Sequence, residues 1–323
     1  MNQSAIAPVV LLAYRRPALT RQVFETIKAA KPPVLLIVMD GPRPGNPDEQ
    51  RLVSETRNIV EVVDWDCEVH RIYADHNLGL KNRISTGLDE VFQRVDRAII
   101  LEDDCLPSSS FFRYASEILE KFAGDERIGI VSGSQRLRGR KVSDYSYDFS
   151  EDVRIWGWAT WARTWHGFQE SDGLNRVRSR LEVRDLVSRF SRGSRRNHIK
   201  SMVSQENSLD SWALPFTLHC VEKGYLNVVP SSNLVKNIGL GVSSTHTGFE
   251  SYVAEVATTE LDFPLVHPSE VKYGGFFDEL ESQLDMRELF LYPLKHPLNT
   301  AGRFIRYGIR QLSSRKARHG TVD

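Results

Sequence analysis

The sequence predicts an α/β fold in which a mostly parallel β-sheet is covered by helices on both faces. Short, wholly apolar runs at 9–13, 34–39 and 98–101 are typical of strands that are buried on both sides. Between these runs apolar residues recur at helical spacing, as Leu19 and Val23 do after the first run. Strands and helices that alternate in this way form parallel sheets.

The other elements of this first part follow in order along the chain. We expect a helix after the Gly- and Pro-rich loop 40–47, a weak strand at 69–73 and another helix after the loop 77–79. A fourth helix is predicted over 111–122, and a fifth strand at 128–132. The pattern as a whole is Rossmann-like.

From about residue 134 the alternation is lost. We expect short strands near 145–149 and at 226–229, and two helices between 172 and 223. The segment 237–248 is rich in Gly, Ser and Thr and is predicted to be a mobile loop. An irregular second half therefore follows the regular first half.

Composition excludes several classes of protein. The chain has 323 residues, of which 41% are hydrophobic, and its 42 basic and 42 acidic residues cancel. Disordered and collagen-like proteins differ from this composition, and a neutral chain is not built for bulk capture of nucleic acid. Three widely spaced cysteines favour reduced thiols in the cytoplasm. Neither a signal peptide nor a run of about 18 apolar residues is evident, so no membrane span is expected.

Three acids, Glu102, Asp103 and Asp104, directly follow the buried strand 98–101. Ligands of an open parallel sheet bind outside the carboxyl ends of its strands. Adjacent carboxylates repel each other, and a hard divalent cation such as Mg²⁺ or Mn²⁺ relieves that repulsion. The alternative is a solvated acidic turn that opens the next helix.

Polar residues also follow the other predicted strands. Asp40 comes after the second strand, where it either accepts hydrogen bonds from a nucleotide or forms a plain Asp-Gly turn. Arg15 and Arg16 follow the first strand and either face phosphate oxygens or are ordinary surface arginines. The segment 77–82 enters a helix whose N–H groups favour anions, or whose start is capped by a polar residue.

Five motifs of this sequence, in their order along the chain, resemble motifs of the GT-A glycosyltransferases. In that family the acid cluster is called the DXD motif. LEDDCLPSSSFFRY at 101–114 and LLAYRRPALTRQVFETI at 11–27 are similar to segments of the eukaryotic N-acetylglucosaminyltransferase I family. The same holds for IWGW at 155–158, LDSW at 209–212 and NIGLGVS at 237–243. Bacterial family-2-like sugar transferases, with WGWATW and THT motifs, are more similar still.

The resemblance covers roughly residues 7–250 and implies a division of the chain. A nucleotide-sugar-binding half would span 1–133, and an acceptor-side half with a flexible loop at 237–250 would span 134–270. A C-terminal helical tail would span 271–323. The donor would be contacted by Ala13, Tyr14, Arg15, Arg16, Asp40, Asn77, Gly79, Lys81, Asn82, Arg83, Glu102, Asp103 and Asp104.

The resemblance also implies individual roles. Asp104 would bind Mn²⁺ or Mg²⁺ directly, while Glu102 and Asp103 would contact the nucleotide or waters on the metal. Asp40 would read the nucleobase, and Arg15 or Arg16 would touch the diphosphate. His246 lies late in the chain. It is either a ligand of the metal or diphosphate, or a solvated loop histidine.

The catalytic base is less directly implied. In the eukaryotic family the residue before the Trp of LDSW serves as base, but Ser211 stands there, and a hydroxyl is no base at neutral pH. Asp210 or Glu206 would take that role by accepting the proton of the acceptor hydroxyl. Asp210 is alternatively a helix N-cap before Trp212.

Tryptophans are a second candidate acceptor feature. Trp156, Trp158 and Trp212 are predicted to contact the acceptor, by sugar stacking or as part of its site. The spacing of Trp161 and Trp165 is as readily that of helix-to-core packing, and this alternative holds for the whole cluster.

The resemblance implies an inverting, metal-dependent transfer of a sugar from a nucleotide diphosphate donor, expected to be UDP-linked, to a glycan or lipid-linked glycan. Two alternatives stay open: a nucleotidyltransferase that makes a nucleotide sugar, and a non-catalytic glycan-binding protein. We expect a cytoplasmic protein. Its basic, amphipathic segment 302–318 is either a peripheral contact with the inner face of the plasma membrane or a solvated helix.

Overall fold

The structure is a computed structural model that describes residues 5–176, 178–189, 194–205, 211–239 and 256–295. Within these ranges the strands are β1 (Val9–Ala13), β2 (Val34–Met39), β3 (Glu68–Tyr73), β4 (Arg97–Glu102), β5 (Cys105–Pro107), β6 (Ile128–Ser132), β7 (Tyr147–Ser150), β8 (Trp158–Trp161), β9 (Leu226–Pro230) and β10 (Val235–Asn237).

The helices of the same ranges are α1 (Pro17–Ala30), α2 (Pro47–Glu61), α3 (Leu80–Phe92), α4 (Ser109–Lys121), α5 (Ala162–Glu170), α6 (Arg180–Ser188), α7 (Ser194–Gln205), α8 (Ala213–Lys223) and α9 (Phe276–Lys295). A single 3₁₀ turn, Gly173–Asn175, follows α5. None of these helices is both long enough and apolar enough to cross a lipid bilayer.

The described strands build an eight-stranded sheet in the order β3-β2-β1-β4-β8-β6-β9-β7. Strands β3, β2, β1 and β4 are mutually parallel. Strand β8 runs antiparallel to both of its neighbours, so β6 and β9 share the direction of β4, and β7 runs against them. The predicted α/β, Rossmann-like class with a mostly parallel sheet is confirmed.

Helices cover both faces of the sheet, as the wholly apolar strands predicted. Alternate residues of β1 point to opposite sides, since Val9 and Leu11 lie in one core cluster and Val10 and Leu12 in the other. The first cluster is completed by residues of α1 and α4, and the second by residues of α3, α5 and α8. Two layers of packed helices therefore fix where the strand ends emerge.

The second half departs from the prediction in two strands, β8 and β10, and in the number of its helices. The Trp-rich segment contains the central strand β8, inserted between β4 and β6. All four of its residues are buried, so it lacks the polar alternation that marks a half-exposed strand. Three helices, α6 to α8, lie in the described parts of 172–223 where two were expected, because the polar α7 sequence carries little apolar periodicity.

A small antiparallel sheet joins β5 to β10. Its register pairs Cys105 with Asn237, residues that are far apart in the chain. Since β5 comes directly after the acids of β4, this pairing carries the segment after β10 to the carboxyl edge of the main sheet. No pattern in the sequence predicted this pairing.

Candidate active site

The carboxyl ends of β1, β2, β3 and β4 meet at one edge of the sheet, because the four strands are parallel neighbours. The polar residues that follow them form a hydrogen-bonded crevice. The Asn77 amide donates to the Tyr14 hydroxyl at 2.9 Å and to Asp40 at 2.9 Å. The Tyr14 N–H in turn donates to Asp103 at 3.3 Å. Residues from all four strand ends are thus brought together.

Asp40 organises the loop that leads into α3. Its carboxylate accepts hydrogen bonds from the backbone N–H groups of Gly41, Leu78 and Gly79 at 2.9–3.1 Å, besides the amide of Asn77. The side chain is buried and both oxygens are engaged twice. This geometry favours a positioning role for Asp40 over the expected direct contact with a nucleobase.

Two glycines allow the loop after β2 and the loop before α3 to lie close together. A Cβ atom at Gly41 would lie 2.5 Å from the backbone nitrogen of His76, so the two loops approach too closely for any side chain. Gly79 caps α3 with a φ of +79°, in the left-handed region that glycine adopts most readily. The first turn of α3 has no side-chain cap.

The three predicted residues of that first turn take different places. The Arg83 guanidinium is buried and donates to the carbonyl of Ile72 at 2.9 Å, so it ties α3 to β3. A donor contact by Arg83, expected from the resemblance, does not fit this burial. Asn82 is exposed and bonds back to Leu78, whereas Lys81 is partly exposed beside the crevice.

The carboxylates of Asp103 and Asp104 leave one oxygen each facing a common point. Asp103 uses Oδ2 for the Tyr14 N–H, and Asp104 uses Oδ1 for the side-chain amide of Asn237 at 3.3 Å. The other two oxygens face Arg16, whose Nη1 lies 3.4 Å from Asp103 Oδ1 and 2.5 Å from Asp104 Oδ2. A cation position thus exists between the two acids.

Burial and mutual repulsion make this position electrostatically demanding. Burial, followed by the charges of Asp104 and Asp103, raises the pKa of Glu102 to about 8. Burial also raises the pKa of Asp103 to about 7, against the opposing effect of Arg16. Burial lowers the pKa of Arg16, but Asp103 and Asp104 raise it by more. The acids need a positive partner to stay ionised together.

A divalent cation fits this donor set. Among the described residues no group of three or more His, Cys, Asp and Glu side chains is arranged to hold a metal. Mg²⁺ is commonly bound by only one or two carboxylates, with phosphates and waters completing the shell. The outward oxygens of Asp103 and Asp104 supply such a pair, so the residues fit a metal whose remaining ligands come from outside the protein.

The segment after β10 packs directly on Asp104. Asn237 bridges them, because its amide donates to Asp104 while its oxygen accepts from the Gly239 N–H at 2.9 Å. The Ile238 N–H donates to the Asp104 carbonyl at 2.8 Å. A Cβ at Gly239 would lie 2.8 Å from the Cβ of Asp104 and would overlap its Oδ2. The contact joins residues that the sequence separates by more than 130 positions, so only the sheet pairing reveals it.

A cavity of about 180 Å³ adjoins this segment. Asn237, Lys236 and Trp156 line it, together with Gln135 and Val256. Asn237 therefore touches both the cavity and Asp104, which places the cavity beside the acids. Trp156, predicted as an acceptor contact, is partly buried and faces this space.

The other predicted acceptor tryptophans belong to the core. Trp158 is fully buried and stacks on Trp212 at a centroid distance of 5.9 Å. Trp165 and Phe216 pack against the same pair. Direct sugar stacking on Trp158 and Trp212 is inconsistent with this burial, and the packing alternative explains the cluster. Strand β8 places the indole of Trp158 in the core cluster on one face of the sheet.

Arg15 and Arg16 diverge from the end of β1. Arg15 points towards α2, where its Nη1 lies 3.4 Å from the buried carboxylate of Glu49, which Arg43 also contacts at 3.4 Å. Arg16 points the other way, to the acids of β4. Both side chains are about half exposed. Ala13, which was predicted to contact the donor, ends β1 and is buried.

Some predicted residues lie outside the described residues. These are Glu206, Asp210 and His246, together with the loop beyond Gly239 and the basic segment 302–318. Ser211 and Trp212 precede α8, and Trp212 occupies its N-cap position, which the sequence alternatively assigns to Asp210. The base and the late histidine ligand therefore stay predictions.

No known protein family and no curated protein matches the sequence. A mannosyltransferase from Pyrobaculum calidifontis in complex with GDP-Man and Mn²⁺ is similar over 67% of this chain and 74% of its own, with 13% identity and a TM-score of 0.35. A UDP-glucose pyrophosphorylase complexed with UDP-glucose is similar over 70% and 90%, with 12% identity and a TM-score of 0.35. An inositol-1-phosphate CTP transferase from T. maritima is similar over 79% of this chain and 97% of its own, with 14% identity and a TM-score of 0.35. Likenesses this distant leave the function to be argued from the site.

Proposed function

We propose that this protein is a metal-dependent glycosyltransferase that moves a sugar from a nucleoside diphosphate, UDP in the first instance, to a glycan or lipid-linked glycan. One observation carries the proposal. The outward oxygens of Asp103 and Asp104 face one cation position at the carboxyl edge of a parallel sheet, and a cavity adjoins it through Asn237. A donor and an acceptor can therefore lie side by side.

In this proposal the crevice holds the donor. A divalent cation on Asp103 and Asp104 would neutralise the charge that develops on the departing diphosphate. Lys81, in the first turn of α3, is partly exposed and can face phosphate oxygens, whereas Arg15 would first have to leave its ion pair with Glu49. Asp40 and Asn77 keep the loop before α3 in place, so the N–H groups of the first turn of α3, which no side chain caps, stay available to an anion.

The acceptor would enter the cavity along Trp156. Its hydroxyl oxygen attacks the anomeric carbon, the bond from that carbon to the diphosphate oxygen breaks, and the bonding electrons leave with the nucleoside diphosphate. The hydroxyl proton passes to a carboxylate, for which Asp210 and Glu206 are the candidates. Attack from the face opposite the diphosphate inverts the anomeric configuration.

The connection between β1 and α1 favours this proposal over the nucleotidyltransferase alternative. Only Tyr14, Arg15 and Arg16 separate the strand from Pro17 at the start of the helix, and none is glycine. An enzyme that forms a nucleotide sugar from a nucleoside triphosphate has to cradle that triphosphate, and Gly-rich loops do so with their backbone N–H groups. A three-residue turn offers little room for such a cradle.

A donor screen separates the alternatives. UDP-, GDP- and dTDP-sugars are incubated with the protein and Mn²⁺, with and without pyrophosphate. Release of a nucleoside diphosphate that requires Mn²⁺ is the expected result. Formation of a nucleoside triphosphate that requires pyrophosphate would establish a nucleotidyltransferase instead. Binding of glycans without turnover of any donor would establish a glycan-binding protein.

The base is tested with Asp210→Asn and Glu206→Gln. General-base catalysis typically contributes about 10²–10⁴-fold, so the variant that removes the base should lose that much transfer rate and keep its affinity for UDP. If both variants transferred the sugar at the wild-type rate, a base in this segment would be ruled out. Full activity and stability in Asp210→Asn, with about 1 kcal/mol of stability lost in Asp210→Ala, would favour the N-cap alternative, because asparagine caps a helix as well as aspartate does.

A further inference from the structure

Arg16 holds both carboxylate oxygens that a metal would use. Its Nη1 lies 2.5 Å from Asp104 Oδ2 and 3.4 Å from Asp103 Oδ1. The second oxygen of each carboxylate is held by the protein itself, through the Tyr14 N–H and the Asn237 amide. A metal therefore meets the guanidinium at the same two oxygens.

The two cations exclude each other. A Mg²⁺ or Mn²⁺ ion binds carboxylate oxygen at about 2.1 Å. An ion at that distance from Asp104 Oδ2, on the side that faces Asp103, would collide with a nitrogen that already lies 2.5 Å from the same atom. Like charge adds to the steric conflict. Arg16 has to leave the acids when a metal enters.

The side chain of Arg16 is free to move while its backbone stays in place. About half of the side chain is exposed, whereas the acids are 8% and 11% exposed. The Arg16 carbonyl accepts from the N–H groups of Leu19 and Thr20, so the residue is fixed as the start of α1. The displaced guanidinium then needs another anion, and its planar fork matches a phosphate group.

We propose that Arg16 couples metal binding to diphosphate binding. Without ligands it neutralises Asp103 and Asp104 and competes with the metal. When a metal and a nucleoside diphosphate bind together, Asp103 and Asp104 would hold the metal and Arg16 would turn to the phosphates. Each ligand then strengthens the binding of the other, as thermodynamic reciprocity requires. This inference rests on the proposed function.

Direct titration of the full-length protein with Mn²⁺, followed by electron paramagnetic resonance, tests the coupling. Arg16→Gln should bind Mn²⁺ about tenfold more tightly than wild type without nucleotide, as expected when a partly exposed ion pair no longer competes. The gain in Mn²⁺ affinity on addition of UDP should be about tenfold smaller than in wild type. Arg16→Lys keeps the competing charge and should behave more like wild type.

Matched controls separate this inference from the proposed function. Arg21→Gln removes one positive charge from the same helix, away from the acids, and should leave the Mn²⁺ affinity unchanged. Asp104→Asn should lose Mn²⁺ binding. If Arg16→Gln binds Mn²⁺ no more tightly than wild type, or gains as much from UDP, the coupling is wrong while the metal site stands. If Asp104→Asn binds Mn²⁺ as wild type does, the metal site and the proposed function fail together.

Discussion

The two sides of the crevice are formed in different ways. On the β1–β4 side each polar group follows its strand directly, as Asp40 follows β2 and Asp103 follows β4. On the side of the small β5–β10 sheet the contributions come from pairs that are distant in the chain, such as Asn237 with Asp104. The first side is built by strand order alone, and the second by packing.

The packing of the second side extends to its C-terminal helix. Arg154 lines the cavity wall and is buried, and its guanidinium is paired with Glu281 of α9. Asp278, one turn earlier in α9, accepts from the Ser150 hydroxyl at 2.5 Å. Substitutions in this cavity wall should therefore lower the stability of the protein. Substitutions of the strand-end acids should lower its activity alone.

Asp104→Ala should have the largest effect on activity and should leave the fold intact. Loss of about 4 kcal/mol of transition-state stabilisation slows turnover roughly a thousandfold. Donor turnover with Mn²⁺ and with EDTA measures this, and Asp66→Ala, which removes an exposed acid before β3, is the control. A near-normal rate for Asp104→Ala, or a wild type indifferent to EDTA, would rule out the metal role.

Trp158→Ala and Trp156→Ala should separate packing from acceptor contact. Trp158 is fully buried, and truncation of such a side chain costs at least about 3 kcal/mol of unfolding free energy. Trp156 lines the cavity, so its truncation should cost about 1 kcal/mol or less and weaken acceptor binding instead. Urea unfolding and the acceptor KM measure the two effects. A stable Trp158→Ala with a raised acceptor KM would restore the stacking interpretation.

His219 should make the second half sensitive to acid. Burial, assisted by Lys223, lowers the pKa of His219 from 6.5 to about 4. The unfolded chain takes up a proton below about pH 6.5 and the folded chain only near pH 4. The free energy of unfolding should therefore fall by about 3 kcal/mol as the pH is lowered through this window.

Urea unfolding at a series of pH values tests this dependence. His219→Gln removes the buried imidazole and should flatten the curve between pH 6.5 and 4. His166→Gln, which removes an exposed histidine of α5, is the control. An equal slope in wild type and His219→Gln would show that other groups cause the acid sensitivity.

Gly239→Ala should have the smallest of these effects and tests the link between the halves. The new Cβ would lie 2.8 Å from the Cβ of Asp104, so the carboxylate or the segment must shift. A displacement of about 1 Å at a reacting group costs on the order of a hundredfold in rate. Gly124→Ala, where a Cβ meets open space, is the control. Equal rates would mean that the segment does not constrain Asp104.

Local patterns were enough to predict the regular elements. β1, β2 and β6 have the predicted bounds, because strands buried on both faces are wholly apolar. The strand-end residues Asp40, Asp103 and Asp104 were found for a related reason, since a parallel sheet gathers at one edge the residues that come after its strands. Strand β8 was missed, because its buried tryptophans were equally consistent with a binding platform.

The sequence by itself determined the fold class and which chemical groups stand at the strand ends. Only the tertiary structure decided which oxygens of those groups can meet a cation, because the loop before α3 saturates Asp40 while Asp104 keeps Oδ2 for a cation. It also decided that Asn237 and Gly239 touch Asp104 and that Trp158 is core. The physical reason is that apolar periodicity encodes burial along one element, whereas hydrogen-bond partners and close backbone approaches arise between elements distant in the chain.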